Sequence, residues 1–147
     1  MRGIVLAMKR ERIPIMAVST LILAALSACS AQGDHVDLAD TTWRFIEIDG
    51  ARPASSDAQL VFADDRLGAD VGCNGIGGPW RVENDRLIAG PLEQQAAPCD
   101  GAVWGQEKAV GALLAAAPIF DVDGDTMTIK SSGHTAELRR TDHSDEG

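Results

Sequence analysis

The side chains with the most reactive chemistry are three cysteines and three histidines in a chain of 147 residues. A thiolate or an imidazole can act as a nucleophile, a general base or a metal ligand. The histidines, His35, His134 and His143, are not spaced as a metal site requires. The segment Ser131-Ser132-Gly133-His134 is a polar turn, and the chain has no Gly-x-Ser-x-Gly nucleophile elbow. The sequence therefore predicts neither a catalytic centre nor a metal site, and a small hydrolase is the weaker alternative.

Cys29 lies at the end of an N-terminal export signal. An apolar stretch over residues 13–26 follows a positively charged start and is too short for a membrane span of about 20 residues. The stretch ends in Leu26-Ser27-Ala28-Cys29, which resembles a bacterial lipobox. The resemblance implies that residues 1–28 are a signal peptide and that the Cys29 sulfur carries a membrane lipid. The alternative is an ordinary cleaved signal with an incidental cysteine.

The residue after the lipobox bears on the choice of membrane. It is Ser30 and not an aspartate. In a host with two membranes, the usual sorting rule then favours the outer one. We therefore expect a lipid-anchored protein of the cell envelope, on the periplasmic face of the outer membrane.

Cys73 and Cys99 are the two thiols that remain once Cys29 is lipidated. An exported chain enters an oxidising compartment, where two thiols allow one intramolecular pairing. Both cysteines flank irregular segments, which can adjust to the short separation that a bridge demands. The sequence predicts a Cys73–Cys99 disulfide. One alternative is a pair of reduced, buried thiols; a zinc site is a weaker one, because two cysteines without a well-placed histidine leave its tetrahedral shell incomplete.

Two further segments resemble ligand-binding loops without meeting their requirements. The glycine-rich segment Gly72–Pro79 lacks the Lys-Ser/Thr of a phosphate-binding loop, so it is expected to be a tight irregular loop with Asn74 bonded to nearby backbone. Asp121–Asp125 resembles the start of a calcium loop, but Thr126 and Ser132 occupy the positions that need Gly and Glu. We expect a hairpin turn there.

The charge distribution excludes nucleic acid as a partner. Beyond Arg12 the chain has nine Lys and Arg residues against 21 Asp and Glu residues, a net charge of −12. The basic residues are scattered, whereas binding to a phosphate backbone needs them clustered. The acidic surface favours solubility and repels anionic partners.

The elements that must position these residues are short strands and one helix. Strands are predicted at residues 42–48, 59–63, 66–71, 80–83, 86–89, 119–122, 126–130 and 134–140. A helix follows Asp100, whose carboxylate is expected to cap it, and it ends by Pro118. The pattern indicates an α+β fold, a curved antiparallel sheet of about seven or eight short strands with one helix packed against it.

The predicted domain extends over residues 42–140. Residues 29–41 are assigned to a lipid-anchored tether and residues 141–147 to a polar tail. Within the domain, Glu107 lies beside the apolar face of the helix and is expected to be a half-buried structural acid. The tryptophans are expected in the core rather than in a ligand groove; they are Trp43, Trp80 and Trp104.

The order of several features resembles the META domain, also called HslJ-like. They are Trp43, the run Gly72-Cys73-Asn74, Gly78 before Trp80, Cys99, Glu107 and the hairpin Asp123-Gly124-Asp125. The match extends from Thr42 to Arg140. The chain departs from the family where Gln95–Cys99 replaces a Thr-x-Met-Ala-Cys-like run, and where Trp80 replaces a Tyr or Phe.

The resemblance implies a small α+β domain that is often lipid-anchored and is linked to envelope stress and secretion. It supplies no catalytic residues, and its motif loop corresponds here to Gly72, Cys73, Asn74 and Gly78. We expect a non-catalytic module without a cofactor that binds membrane lipid through Cys29 and binds or stabilises an envelope protein. The alternative is a small-ligand binder that uses the interior of the sheet.

Overall fold

The computed structural model describes residues 36–131 and 133–141. The predicted signal peptide, Cys29, most of the tether and the tail beyond residue 141 lie outside the described residues. Within the described part of the chain, no helix is both long and apolar enough to cross a membrane.

The described chain is built from nine strands and one helix. In chain order they are β1 Thr41–Ile48, β2 Gln59–Phe62, β3 Arg66–Asp70, β4 Gly75–Glu83, β5 Arg86–Ala89, β6 Glu93–Gln94, α1 Gly101–Ala115, β7 Ile119–Asp123, β8 Thr126–Ser131 and β9 His134–Arg140. All strand pairings are antiparallel. The predicted antiparallel sheet with one helix is confirmed.

The sheet closes into a barrel, which corrects the expectation of a merely curved sheet. Eight strands follow one another around the barrel in chain order, and β1 and β9 pair to join the two ends of the chain. The ninth, β6, is a two-residue strand that pairs with β4 outside this ring. The β5–β7 junction is short: Leu87 N donates to Pro118 O (2.9 Å) and Phe120 N donates to Asp85 O (3.0 Å). The β3–β4 pairing, which runs from Arg66 opposite Pro79 to Asp70 opposite Gly75, completes the ring.

Side chains fill the interior of the barrel. Buried positions alternate along β1 from Thr41 through Trp43 to Phe45. A register shift between Phe45 and Glu47 then makes Ile48 the next buried residue. An eight-stranded barrel is just wide enough to be filled in this way. Leu38 is also buried, at 1% exposure, although it lies in the segment that we assigned to the tether. The folded part therefore begins before residue 42.

The helix adds one more apolar face to this core. Ala109, Val110, Leu113 and Leu114 are buried and belong to the same apolar cluster as the strands. Asp100 occupies the N-cap position, but its side chain makes no capping hydrogen bond, so the predicted cap is wrong in that detail. The helix packs against β1, β5, β8 and β9.

The sequence predicted that the glycine-rich segment Gly72–Pro79 is irregular. This is wrong for residues 75–79, which form the first half of β4, whereas residues 72–74 lie outside any helix or strand. Gly78 needs to be glycine because a Cβ there would lie 2.5 Å from the Pro91 carbonyl oxygen. Gly77 is nearly as constrained, since its Cβ would lie 3.1 Å from the Leu67 carbonyl oxygen. The glycines therefore serve close approach between chain segments and not only a turn.

Candidate functional site

The motif loop is joined to the segment before α1 by a covalent bond. Cys73 and Cys99, the pair that the sequence favoured, form a disulfide with a Cα–Cα distance of 6.2 Å. Such a separation lies within the range that a bridge allows. The bond connects the chain just before β4 to the residue before the N-cap of α1.

Asn74 holds the same two segments together through its side chain. Its Oδ1 accepts from Ala97 N (2.9 Å), and its Nδ2 donates to Ala97 O (3.0 Å). The amide therefore bonds to backbone 23 residues away, not to nearby backbone as the sequence suggested. Nδ2 also lies 3.0 Å from the Cys99 sulfur.

Glu107 is the buried polar centre of this cluster, with 0% of its surface exposed. Its Oε2 accepts from Asn74 N (2.8 Å), and its Oε1 accepts from Asn74 Nδ2 (2.9 Å) and Gln94 Nε2 (2.5 Å). A half-buried acid was expected, so the degree of burial is greater than predicted. The carboxyl group links α1 to β6 and to the residue before β4. We call Cys73, Asn74, Gln94, Cys99 and Glu107 the buried cluster after its two buried members, Asn74 and Glu107; the cysteines are half-buried and Gln94 is exposed.

Gly72 precedes the buried cluster and is fixed by its conformation. Its φ is 117°, which an L side chain rarely adopts, and a Cβ would lie 2.7 Å from Ser55 Cβ. Its N–H donates to Asp70 Oδ1 (2.7 Å). The motif residues Gly72, Cys73, Asn74 and Gly78 thus all have structural contacts that explain their types.

A second feature lies on the outer face of the barrel, where β2, β3, β4 and β6 run side by side. Two rows of outward positions cross these strands: Val61, Gly68, Gly77 and Glu93 in one, and Gln59, Asp70, Gly75 and Gln95 in the other. On the two middle strands, β3 and β4, three of these four outward positions are glycine, and only Asp70 has a side chain. The result is a groove of about 520 Å³, which we call the outer groove.

The outer groove has a mainly apolar floor and a polar rim. The two strands that bound the groove, β2 and β6, are three strand spacings apart, roughly 14 Å at about 4.8 Å per spacing. Gly68 and Gly75 have open space where a Cβ would be, so their backbone is accessible from outside. Sequence reasoning missed the groove, although glycine within a strand is a known sign of close approach by a ligand or another chain.

The three tryptophans divide between core and surface. Trp43 is fully buried, and Trp80 is half-buried with its ring edge-on to Phe62 at 4.9 Å. Trp104 is 40% exposed, which contradicts the prediction that it lies in the core. It sits on the outward face of α1, where the Lys108 ammonium lies 5.2 Å from its ring centroid.

His134, the one histidine within the described residues, pairs with Asp49. Its Nδ1 lies 2.7 Å from Asp49 Oδ2, and Asp49 Oδ1 accepts from Thr135 N (2.8 Å). Slight burial opposes ionisation of Asp49, but the Thr135 and His134 contacts outweigh it and hold the pKa of this carboxyl below its ordinary value of 3.8. The pair ties the β1 end to the start of β9.

Asp49→Asn is expected to remove a small, pH-dependent part of the stability. The pKa is lower in the folded chain, so the contribution is complete above the unfolded value of about 3.9 and is lost as pH falls through the folded value. It should be at most about 1 kcal/mol, as for other exposed pairs. Asn is the matched replacement because it tolerates the φ of 50° at this position.

Denaturant unfolding from pH 7 to pH 3 measures this difference. The wild type and Asp49→Asn should converge below about pH 4. Asp64→Asn, at an exposed position, is the control. Its difference in stability from the wild type should not shrink as the pH falls. A difference that stays constant with pH would show that Asp49 acts without its charge.

Comparison with known proteins places this geometry in a family. A family model described as "META domain" matches residues 36–143. An NMR structure of a protein from Burkholderia xenovorans superposes with a TM-score of 0.59 at 20% identity, covering 72% of this chain and 85% of that one. A second NMR structure gives a TM-score of 0.62 at 14% identity, covering 69% and 90%. These likenesses show the fold alone. No curated protein matches the chain significantly.

Proposed function

The chain belongs to the META domain family, and from that premise we propose that it is a lipid-anchored, non-catalytic module of the cell envelope. We propose further that it holds an apolar segment of an envelope protein in its outer groove. The family resemblance connects such a module with envelope stress or secretion. The anchor is the lipid on Cys29, and the membrane is the outer one.

The outer groove is the observation that supports a binding role. It is a mainly apolar depression of about 520 Å³ on a strand face that carries little side-chain bulk. Pockets for small ligands and for anchoring side chains are commonly apolar with a few polar groups at the edge. Gln59, Asp70 and Gln95 supply those groups.

The alternative of a ligand inside the sheet receives less support. Trp43, Leu60, Phe62, Met127 and Leu138 are among the inward residues that are fully buried and packed together. A ligand inside the barrel would have to displace them. The outer groove needs no such displacement.

The absence of catalysis is part of the proposal and rests on how the polar residues are used. Ser131 Oγ donates to the Ala116 carbonyl (3.1 Å), and the His134 imidazole contacts the Asp49 carboxylate. Nucleophilic catalysis needs a nucleophile and a base within reach of one another. The structure engages this serine and this histidine in separate contacts.

A photo-crosslinking amino acid tests the outer groove. Placed at Gln59 or Gln95 on the rim, it should form adducts with an envelope protein in cells. Placed at Glu137, an exposed position on β9, it should not. The decisive variant is Gly68→Trp, which fills the groove at a site with no atom within 4 Å of a new Cβ.

We expect Gly68→Trp to abolish the rim adducts while the stability changes little, since the new side chain points into open space. Equal adducts from Gln59 and Glu137 would refute the groove as a binding site. So would adducts that persist in folded Gly68→Trp.

The anchor is tested separately with Cys29→Ser. The hydroxyl is a far poorer nucleophile than a thiolate, so the variant should incorporate no labelled palmitate and should keep its signal peptide. Several acyl chains bind a membrane almost permanently, at about 0.8 kcal/mol per buried methylene. Intact mass and labelling of the membrane fraction give the result, with Ser27→Ala as a matched control. Label in the Cys29→Ser chain would place the anchor elsewhere.

A further inference from the structure

Reduction of the Cys73–Cys99 disulfide would leave three metal-ligating groups side by side, the two thiols and the Glu107 carboxyl group. Their two sulfurs and one carboxylate oxygen all lie within 4.8 Å of one another. In a tetrahedral zinc site with Zn–S bonds of about 2.3 Å, neighbouring ligand atoms lie roughly 3.8 Å apart. Cys99 Sγ is already 3.6 Å from Glu107 Oε2. A bridged sulfur carries no hydrogen, so this contact is not a hydrogen bond. The two atoms could therefore bind the same metal ion after reduction.

Hydrogen bonds fix the orientation of the Glu107 carboxyl group, as they commonly do for a carboxylate that binds a metal. Oε1 is held by the side-chain amides of Asn74 and Gln94, and Oε2 is directed toward Cys99. Outer partners of this kind fix a ligand's orientation and tune its affinity for the metal. Oε2 accepts one hydrogen bond, from Asn74 N, and retains a second lone pair.

Among the described residues, the hydrogen-bond donors to the fully buried Glu107 carboxyl group are all neutral amides. No cationic side chain among those donors therefore occupies the side of Oε2 that faces Cys99.

We propose that the reduced chain binds one zinc ion through Cys73 Sγ, Cys99 Sγ and Glu107 Oε2. A dithiol reductant breaks the sulfur–sulfur bond, giving two electrons and two protons to the cysteines and becoming a disulfide itself. Zinc then replaces the two thiol protons, which pass to solvent. Both cysteines are only half-buried, so water can supply the fourth ligand. In the oxidised chain the sulfurs bond to each other and the site does not exist.

This site is independent of the outer groove, and its test uses metal binding alone. The full chain carries Cys29→Ser, so that Cys73 and Cys99 are its only thiols, and is purified in detergent. A phosphine reduces it without competing for metal, and Co²⁺ serves as the spectroscopic probe. We expect one equivalent of Co²⁺ with thiolate charge-transfer bands and tetrahedral visible bands, all removed by Zn²⁺. The oxidised chain should show none, and no bands after reduction would overturn the proposal.

Glu107→Gln tests the carboxylate, with Glu93→Gln as the exposed control. Loss of a direct ligand should weaken zinc binding by at least the roughly 10–100-fold that loss of an outer partner costs. Glu93→Gln should leave the affinity unchanged. Equal affinity in folded Glu107→Gln would mean that the thiols act without Glu107 and would overturn the site as proposed.

X-ray absorption at the zinc edge decides the matter in the chain with Glu107 intact, whether or not Glu107→Gln folds. We expect two sulfur ligands at about 2.3 Å and two oxygen or nitrogen ligands. Four sulfurs would mean that two chains share one ion, and no sulfur would mean a surface site. Either result would overturn the proposal.

Discussion

Removing the Cys73–Cys99 disulfide is expected to lower the free energy of unfolding by about 3.5 kcal/mol. The bridge spans a sequence separation of 26 residues, and closing a loop of that length restricts the unfolded chain. The loss is a large share of the 5–15 kcal/mol typical of a domain. At roughly 4 °C per kcal/mol for about 100 residues, the melting temperature should fall by more than ten degrees.

The measurement compares oxidised and reduced chain, and Cys73→Ser/Cys99→Ser in both conditions. The double variant should match the reduced wild type and should not respond to reductant. Intact mass and thiol labelling of exported, unfolded chain without reductant provide the independent check. Two free thiols at these positions would refute the bridge, and Zn²⁺ that restores stability to the reduced wild type but not to the double variant would link it to the proposed site.

Much of the barrel can be predicted from the sequence because its strands alternate. In β1 the positions of Trp43 and Phe45 point inward and those of Arg44 and Ile46 outward, so the pattern identifies a strand. The β4–β5 and β7–β8 hairpins have turn residues that tolerate positive φ, Asn84 and Gly124. The boundaries of these four strands agree with the structure to within one residue, except that β4 begins at Gly75 and not at residue 80.

The glycine-rich half of β4 could not be predicted in this way. Glycine has a low preference for strands, and its run after Cys73 is also typical of a loop. Glycine is needed because Gly78 lies against the Pro91 carbonyl. Pro91 comes after the next strand, so the local sequence around Gly78 does not reveal this contact. The outer groove was missed with it, because the groove exists only where Gly68 and Gly77 face each other across β3 and β4.

Barrel closure and the burial of Glu107 depend on tertiary contacts alone. Local patterning predicts the individual strands, but it does not say that β1 pairs with β9 and β3 with β4 so that the sheet closes. A helix acid is normally exposed, so Glu107 is expected at the surface unless its partners are known. Those partners come from β6 and from the residue before β4, and neither position has a signal in the sequence of the helix.

Glu107→Ala is expected to destabilise the fold by about 3–4 kcal/mol. Each buried donor that loses its acceptor costs about 1–3 kcal/mol, and the truncated side chain leaves a cavity. Asn74 N loses its carboxylate partner in a buried site, whereas the Gln94 amide is at an exposed residue and can turn to water. The loss therefore falls mainly on Asn74.

Denaturant unfolding of Glu107→Ala against Glu93→Ala gives the matched comparison. Glu93 is exposed and pairs with Arg66 at 3.2 Å, so its removal should cost at most about 1 kcal/mol. A double-mutant cycle with Asn74→Ala then separates the network from the cavity. Because both residues share one network, the double variant should cost less than the sum of the single ones by about 0.5–3 kcal/mol. Strict additivity would mean that Glu107 acts through packing and not through Asn74, and the buried cluster would not be one unit.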